Sequence, residues 1–221
     1  MRGYFVKDLA ILSKQKLLYL VAAGLGIFFG ISNNDFSFFA MYITLISSSF
    51  VVTSLSYDMT DNGMGFILSM PGGYKKYLTE KYLLIFFMSA GSSLIGFVAN
   101  MIGNHFMNSD TDMATMLIGS AGIFFICAAM MCVFIPIQLK LGPERMRLGI
   151  MIFGGVLAVC GAVLVKLGSS FGFDIDEVIN NIIAYSTSNF AIVIAEFAVA
   201  VVLMFGLSYF ISYFILRKKE F

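Results

Sequence analysis

Six long apolar stretches dominate this chain and limit what it can fold into. They lie at residues 17–31, 36–56, 82–103, 115–138, 148–167 and 189–216. A helix of about 20 apolar residues crosses the hydrocarbon core of a bilayer, so each stretch is a candidate transmembrane helix. Only 12% of the residues are charged, where a soluble domain has about 25%. We therefore expect an all-α membrane protein in which residues 1–221 form a single domain of six transmembrane helices.

The basic residues are confined to alternate connections between these stretches. All but one of the 14 Lys and Arg residues fall in four segments, at residues 1–16, 57–81, 139–147 and 217–219. The other connections, at residues 33–35, 104–112 and 168–188, contain no Lys or Arg and carry acidic residues. Because Lys and Arg accumulate on the cytoplasmic side of a membrane, we expect both termini to be cytoplasmic.

The segment before the first apolar stretch has a helical pattern of its own. Phe5, Leu9 and Leu12 recur at spacings of four and three, and Lys7 and Lys14 lie on another face. This pattern is typical of an amphipathic helix in the cytoplasmic membrane interface. A basic anchor that only sets the topology explains residues 1–16 equally well.

The longest basic connection, residues 57–81, contains apolar residues that a solvated loop does not need. Phe66, Ile67, Leu68 and Met70 are nearly consecutive, and Pro71 follows them together with two glycines. Pro and Gly at this point indicate a break before the next helix. We expect the apolar residues to pack against the lipid interface or against another protein.

A second amphipathic segment lies on the opposite side of the predicted membrane, within residues 168–188. Its apolar positions follow helical spacing, and Asp176, Glu177, Asn180 and Asn181 lie on the other face. The apolar positions are Ile175, Val178, Ile179, Ile182 and Ile183. We expect an outer helix, which either caps or gates an exit or simply buries its isoleucines.

Two ionisable residues lie within the predicted spans, Lys166 and Glu196. Lys166 is close enough to the outer end of its span for the ammonium group to reach the headgroups. Glu196 lies about 10 Å inside the last span, so we expect it to face a cavity, a partner helix or Lys166. Both residues are candidates for a polar pathway.

Gly26 and Gly30 form a G-x-x-x-G motif in the first predicted span. This spacing allows two helix backbones to approach closely. Both glycines are therefore candidates for a helix interface.

The sequence lacks the motifs of several enzyme classes. It has no G-x-x-x-x-G-K-[ST] phosphate-binding loop, no H-E-x-x-H and no nucleophile elbow, and its single histidine is His105. We therefore expect no catalytic residue, no bound cofactor and no metal site in this chain. With a net charge of +1 there is also no basic excess for nucleic acid.

The order of these elements resembles the permease subunits of type 2 ABC exporters. The resemblance rests on the Lys7-Asp8-Leu9 segment and on an acidic residue after the second span. It also rests on the sequence Leu68-Ser69-Met70-Pro71 and on Glu80-Lys81-Tyr82 at the start of the third span. It is strongest for the compact branch that includes the permeases of phenol-soluble modulin exporters. One departure is that Gly72-Gly73-Tyr74 delays the basic residues that usually follow the proline.

The resemblance implies a division of labour between subunits. Two permeases, identical or different, would associate with two ABC ATPase subunits that bind ATP and Mg²⁺. The residues implied in ATPase coupling are Asp58, Asp61, Gly63, Phe66, Ile67, Leu68, Met70 and Pro71. The outer isoleucine helix would belong to the extracellular gate. The resemblance further implies a bacterial cell membrane and an amphipathic peptide or other hydrophobic compound as the substrate.

A different class of protein is also compatible with the sequence. A membrane protein for immunity or sensing would bind a peptide or a partner without pumping it. Such a protein would protect a cell even when the ATPase is catalytically dead.

Overall fold

The structure is a bundle of long helices. The computed structural model describes residues 2–33, 35–60, 63–65, 73–107, 113–170, 185 and 189–218. The long helices within these residues are α1 (Arg2–Lys14), α2 (Lys16–Asn33), α3 (Ser37–Met59), α4 (Gly73–Met107), α5 (Met113–Leu141), α6 (Pro143–Ser170) and α7 (Phe190–Lys218).

Five of the described helices, α2, α3, α4, α5 and α7, are long and apolar enough to cross a membrane. The expectation of an all-α fold with membrane spans is therefore confirmed. The fifth predicted span, residues 148–167, lies inside α6, which is not among these five. The count of six spans thus stays a prediction, as does the cytoplasmic placement of the termini.

Glycines bring α2, α3 and α4 into close contact at one end of the bundle. A Cβ atom at Gly26 would lie 2.8 Å from the Phe39 ring, and one at Gly30 would lie 3.2 Å from the Phe36 ring. On the other side of α3, a Cβ atom at Gly96 would lie 2.7 Å from Cα of Ala40. The start of α3 is therefore held between α2 and α4, and the G-x-x-x-G motif of α2 faces a helix of the same chain.

The opposite end of the bundle contains the larger buried core. It includes Leu55 of α3, Leu78 and Ile85 of α4, Leu139 of α5 and Leu216 of α7. We call this the basic end, because the lysines at the start of α4 and at the ends of α5 and α7 lie there. The core gathers helix ends that are far apart in sequence.

A tight turn joins α5 to α6 at the basic end. Gly142 has a φ of +83°, and its backbone N–H donates to the carbonyl of Gln138 at 2.8 Å. This left-handed conformation suits glycine and ends a helix, and Pro143 begins the next one. The turn therefore follows from the Gly-Pro pair in the sequence.

Helix α1 packs partly against the core at the basic end. Phe5, Ile11 and Leu12 contact the buried cluster, whereas Leu9 is exposed. The predicted stripe of Phe5, Leu9 and Leu12 is therefore divided between the protein and its surface. Asp8, one residue before Leu9, is fully buried.

Candidate functional site

A buried cluster of charged side chains joins α1, α3 and α4 at the basic end. Nζ of Lys81 in α4 donates to Oδ2 of Asp8 in α1 at 2.6 Å and to Oγ of Ser54 in α3 at 2.7 Å. The Ser54 hydroxyl in turn donates to Oδ1 of Asp8 at 2.7 Å. These three side chains form a closed triangle with one corner on each helix.

Asp58, near the end of α3, is the second carboxylate of this cluster. It lies 3.0 Å from Nζ of Lys81 and accepts a hydrogen bond from the Tyr77 hydroxyl at 3.0 Å. Lys7 of α1 also donates to Asp58. We call Lys7, Asp8, Ser54, Asp58, Tyr77 and Lys81 the buried charge cluster.

The cluster is electrically balanced, which is what allows it to be buried. Lys7 and Lys81 supply two positive charges, and Asp8 and Asp58 supply two negative ones. Glu80 is also fully buried and has a carboxyl oxygen 3.8 Å from Nζ of Lys81. Burial raises the pKa of Glu80 to about 8, so it is mostly protonated at neutral pH and leaves the charge balance in place. Removing one member of a buried pair leaves its partner uncompensated, which costs about 3 to 5 kcal/mol.

The ionisation of Asp8 depends on its partners. Burial by itself raises the pKa of the Asp8 carboxyl. The Lys81 ammonium, its hydrogen bond and the Ser54 hydroxyl oppose burial and bring the pKa below its ordinary value. Asp8 is therefore a carboxylate at neutral pH, although its side chain is fully enclosed.

The buried charge cluster lies at both ends of the connection between α3 and α4. Asp58 is one residue from the end of α3, and Tyr77 and Lys81 are in the first turns of α4. Asp58 is buried, so it faces the core and offers no surface for direct contact with another protein. Any effect of Asp58 on a partner must pass through the helices that it joins.

Part of the connection is described between these ends. Met64 is buried in the core, and a Cβ atom at Gly63 would lie 3.0 Å from the backbone oxygen of Asp58. The connection thus packs closely against the end of α3. The other predicted coupling residues lie outside the described residues, namely Asp61, Phe66, Ile67, Leu68, Met70 and Pro71.

A second polar link joins α4, α5 and α7 just inside the basic end. Pro136 lacks a backbone N–H, so it cannot bond to the carbonyl of Cys132 one turn earlier. The Ser208 hydroxyl of α7 donates to that carbonyl. The hydroxyl oxygen of Tyr82 in α4 lies 2.6 Å from the Ser208 hydroxyl and 2.9 Å from the Ser212 hydroxyl.

Each hydroxyl group has a single hydrogen to donate, and this fixes the direction of the hydrogen bonds in the link. Because Ser208 gives its hydrogen to the Cys132 carbonyl, Tyr82 donates to Ser208 and Ser212 donates to Tyr82. The backbone group freed by Pro136 is therefore satisfied by a neighbouring helix, as the interior of a membrane protein requires. We call Tyr82, Ser208, Ser212 and the Cys132 carbonyl the hydroxyl chain.

A cavity of about 440 Å³ lies at the end of the bundle opposite the basic end. Asp35, Ser37, Asn100, Asn104 and Thr115 supply its polar side chains, from the ends of α3, α4 and α5. Asn100 donates to the Ser37 hydroxyl at 3.3 Å across the cavity wall. The bundle therefore has a mainly apolar hollow with several polar side chains at the end that the sequence predicts to be outside.

The remaining predicted site residues are not brought together with the buried charge cluster. Lys166 of α6 and Glu196 of α7 both have exposed side chains. The predicted gate residues Ile175, Val178, Ile179, Ile182 and Ile183 lie outside the described residues. Within the part of the chain that the structure describes, no group of three or more His, Cys, Asp or Glu side chains can hold a metal ion.

Sequence reasoning missed the buried charge cluster. In the sequence, Lys7 and Lys81 indicate membrane orientation and, like Asp8, belong to short motifs, but none of these patterns predicts a contact between them. The sequence contains one indication of the cluster, namely an acidic residue beside an amphipathic stripe, Asp8, and another near the end of a span, Asp58. The partners of these residues, however, lie up to 73 positions away along the chain.

The chain belongs to the ABC-2 transporter family. The family described as "ABC-2 family transporter protein" matches residues 3–217. The protein is accordingly a multi-pass membrane permease of an ABC transporter, a class that associates with an ABC ATPase. No curated protein and no solved structure matches the chain.

Proposed function

We propose that this chain is the permease of an exporter that moves an amphipathic peptide, or another hydrophobic compound, out of a bacterial cell. A second permease would complete the membrane part, and two separate ATPase subunits would bind ATP and Mg²⁺. The observation that carries the proposal is the buried charge cluster, because it joins α1 to both ends of the predicted coupling segment, residues 57–81. The structure of an exporter needs such a link between its ATPase contact and its spans.

The buried charge cluster would make α1, α3 and α4 respond as one unit. A push on the connection between α3 and α4 acts on Asp58 at one end and on Lys81 at the other. Separating these buried charges by a few ångströms would leave them unpaired, which is costly in a dry core. The push is therefore transmitted to the helix bodies rather than absorbed at their ends.

Close packing would carry this motion across the membrane. Gly96 of α4 meets Ala40 of α3 so closely that the two helices have little room to slide. Rocking of this bundle as a whole against the second permease would alternately open the two sides of the membrane, as in other transporters with rigid-body switching. The cavity beside Asn100 and Asp35 would then be part of the release side.

The test uses the permease produced together with its partner ABC ATPase. Phe66→Asp and Leu68→Asp place a charge in the predicted ATPase contact, and Leu141→Asp places one on an exposed apolar residue elsewhere at the basic end. We expect the first two variants to lower ATP-dependent peptide transport into inverted vesicles by more than about tenfold, which a loss of about 1.4 kcal/mol in coupling achieves. Leu141→Asp should transport normally.

Two results would reject the proposal. The first is that no ATPase co-purifies with the intact permease, because the exporter would then have no source of energy. Peptide resistance that persists with a catalytically dead ATPase would instead favour the immunity or sensor protein.

A further inference from the structure

A groove of about 1000 Å³ runs along the surface of the bundle between α5 and α7. Val133, Pro136 and Ile137 line it on the α5 side, and Leu207 and Ile211 line it on the α7 side. Pro136 lacks a backbone N–H, which leaves the Cys132 carbonyl at the groove free to accept from Ser208. The hydroxyl chain closes the bottom of the groove, where Ser208 contacts the Cys132 carbonyl.

The groove has one charged end. Lys140 and Lys218, both exposed, line it at the basic end of the bundle, and its other lining residues are almost entirely apolar. Met204, also in the lining, lies 14 positions before Lys218 on α7, a rise of about 21 Å along the helix. The groove is therefore an apolar channel about as long as an acyl chain, with two cations at its mouth.

We propose that the groove binds one anionic phospholipid, with its phosphate at Lys140 and Lys218 and an acyl chain along α5 and α7. An ammonium group is a natural partner of a lipid phosphate, and each lysine near a membrane surface favours anionic lipid. The apolar side chains match an acyl chain and would reject a polar occupant.

The charges also argue against a second copy of this chain as the occupant. A two-fold interface places the same patch of each copy against the other. Such a contact here would bring Lys140 and Lys218 of both copies together, with like charges facing one another at the mouth. An anionic headgroup removes this repulsion instead of adding to it.

The chain contains no tryptophan, so one introduced tryptophan reports on its own surroundings. Leu207→Trp places the indole in the groove. Val202→Trp is the matched control, because Val202 is similarly exposed on the same helix but lies about 140° around the helix axis from Leu207 and is not among the groove residues. The full chain is reconstituted in vesicles of phosphatidylcholine and phosphatidylglycerol, in which either lipid carries brominated acyl chains that quench tryptophan.

We expect brominated phosphatidylglycerol to reach Trp at position 207 with an apparent affinity about tenfold above that of brominated phosphatidylcholine. The preference should fall below about threefold in Lys140→Gln/Lys218→Gln, and also in Val202→Trp. Lys75→Gln/Lys76→Gln, which removes two charges elsewhere at the basic end, should keep it.

Three results would overturn the proposal. The first is equal quenching by both lipids at position 207, and the second is a preference that survives Lys140→Gln/Lys218→Gln. The third is protection of the Trp at position 207 from both lipids, which would place a second copy of the chain or another protein in the groove. Elution volume and helical content of each variant establish that the protein is folded.

Discussion

Nζ of Lys81 lies 2.6 Å from Oδ2 of Asp8, although 73 positions separate the two residues in the chain. The contact attaches the N-terminal helix α1 to the start of α4. Both side chains are almost completely enclosed. Because neither charge can return to water without moving its helix, the pair links the position of α1 to that of α4.

Asp8→Asn should destabilise the protein strongly. It leaves the buried Lys81 with one carboxylate fewer, and we expect the free energy of unfolding in detergent to fall by about 3 to 5 kcal/mol. Glu144→Gln, which neutralises an exposed carboxylate at the start of α6, should change it by less than about 0.5 kcal/mol. Denaturant titration of each variant provides the measurement.

The double variant Asp8→Asn/Lys81→Gln separates pairing from general damage. If the two residues stabilise each other, its cost should be smaller than the sum of the single costs by more than about 1 kcal/mol. Additive costs would contradict a direct energetic link between α1 and α4.

The pKa of Asp8 predicts a loss of stability in acid. The pKa is lower in the folded protein than in the unfolded chain, where an aspartate titrates at about 3.9. The unfolded chain therefore binds more protons below about pH 4, so the stabilisation from Asp8 is present above that pH and lost as pH falls through the folded pKa.

Melting temperatures between pH 6 and pH 3 test this prediction. The decrease over this range should be smaller in Asp8→Asn than in the unchanged protein. Identical pH profiles would mean that Asp8 keeps its ordinary pKa.

Two glycines of α4 should respond in opposite ways to the same substitution. Gly91→Ala meets open space and should stabilise the helix by about 0.5 to 1 kcal/mol. Gly96→Ala places a methyl group 2.7 Å from Cα of Ala40, so one backbone must shift, and we expect a loss of about 1 to 3 kcal/mol. Thermal unfolding compares them, and equal effects would contradict the close packing of α3 and α4.

Ser208→Ala tests the hydroxyl chain. It leaves the Cys132 carbonyl without its donor, so we expect a loss of about 1 to 3 kcal/mol of stability. In a Pro136→Ala background, residue 136 regains an N–H that reaches this carbonyl, and the cost of Ser208→Ala should fall by about 1 kcal/mol. A cost that does not depend on residue 136 would contradict the link. Ser120→Ala, whose hydroxyl bonds within its own helix, is the control for serine removal.

Much of the fold was predictable from hydropathy and charge. The six apolar stretches match helices α2 to α7, two of them starting one residue early. This part of the fold is local, because an apolar segment partitions into a bilayer by its own composition. The Gly142-Pro143 turn is also a local feature, because glycine commonly ends a helix and proline commonly begins one. The close approach at Gly26 and Gly30 was also expected, but its partner was not, since the motif does not specify which helix it meets.

The candidate site was only partly predictable. Asp58 was singled out as a coupling residue, and the structure shows why it cannot touch another protein directly. Lys166 and Glu196 are exposed, and the buried charged side chains lie at the basic end instead. Lys7, Asp8 and Lys81 lie at that end, and neither their charges nor their short motifs indicate that they contact one another.

The sequence by itself determined that the chain is a membrane protein, where its helices lie, and which end of each helix is basic. These properties depend on the transfer of individual segments between water and lipid, which is additive along the chain. Only the tertiary structure decided that Asp8, Asp58 and Lys81 share one enclosed site. Burial and pairing of a charge depend on which helix ends meet, and that is a property of the packed bundle rather than of any segment.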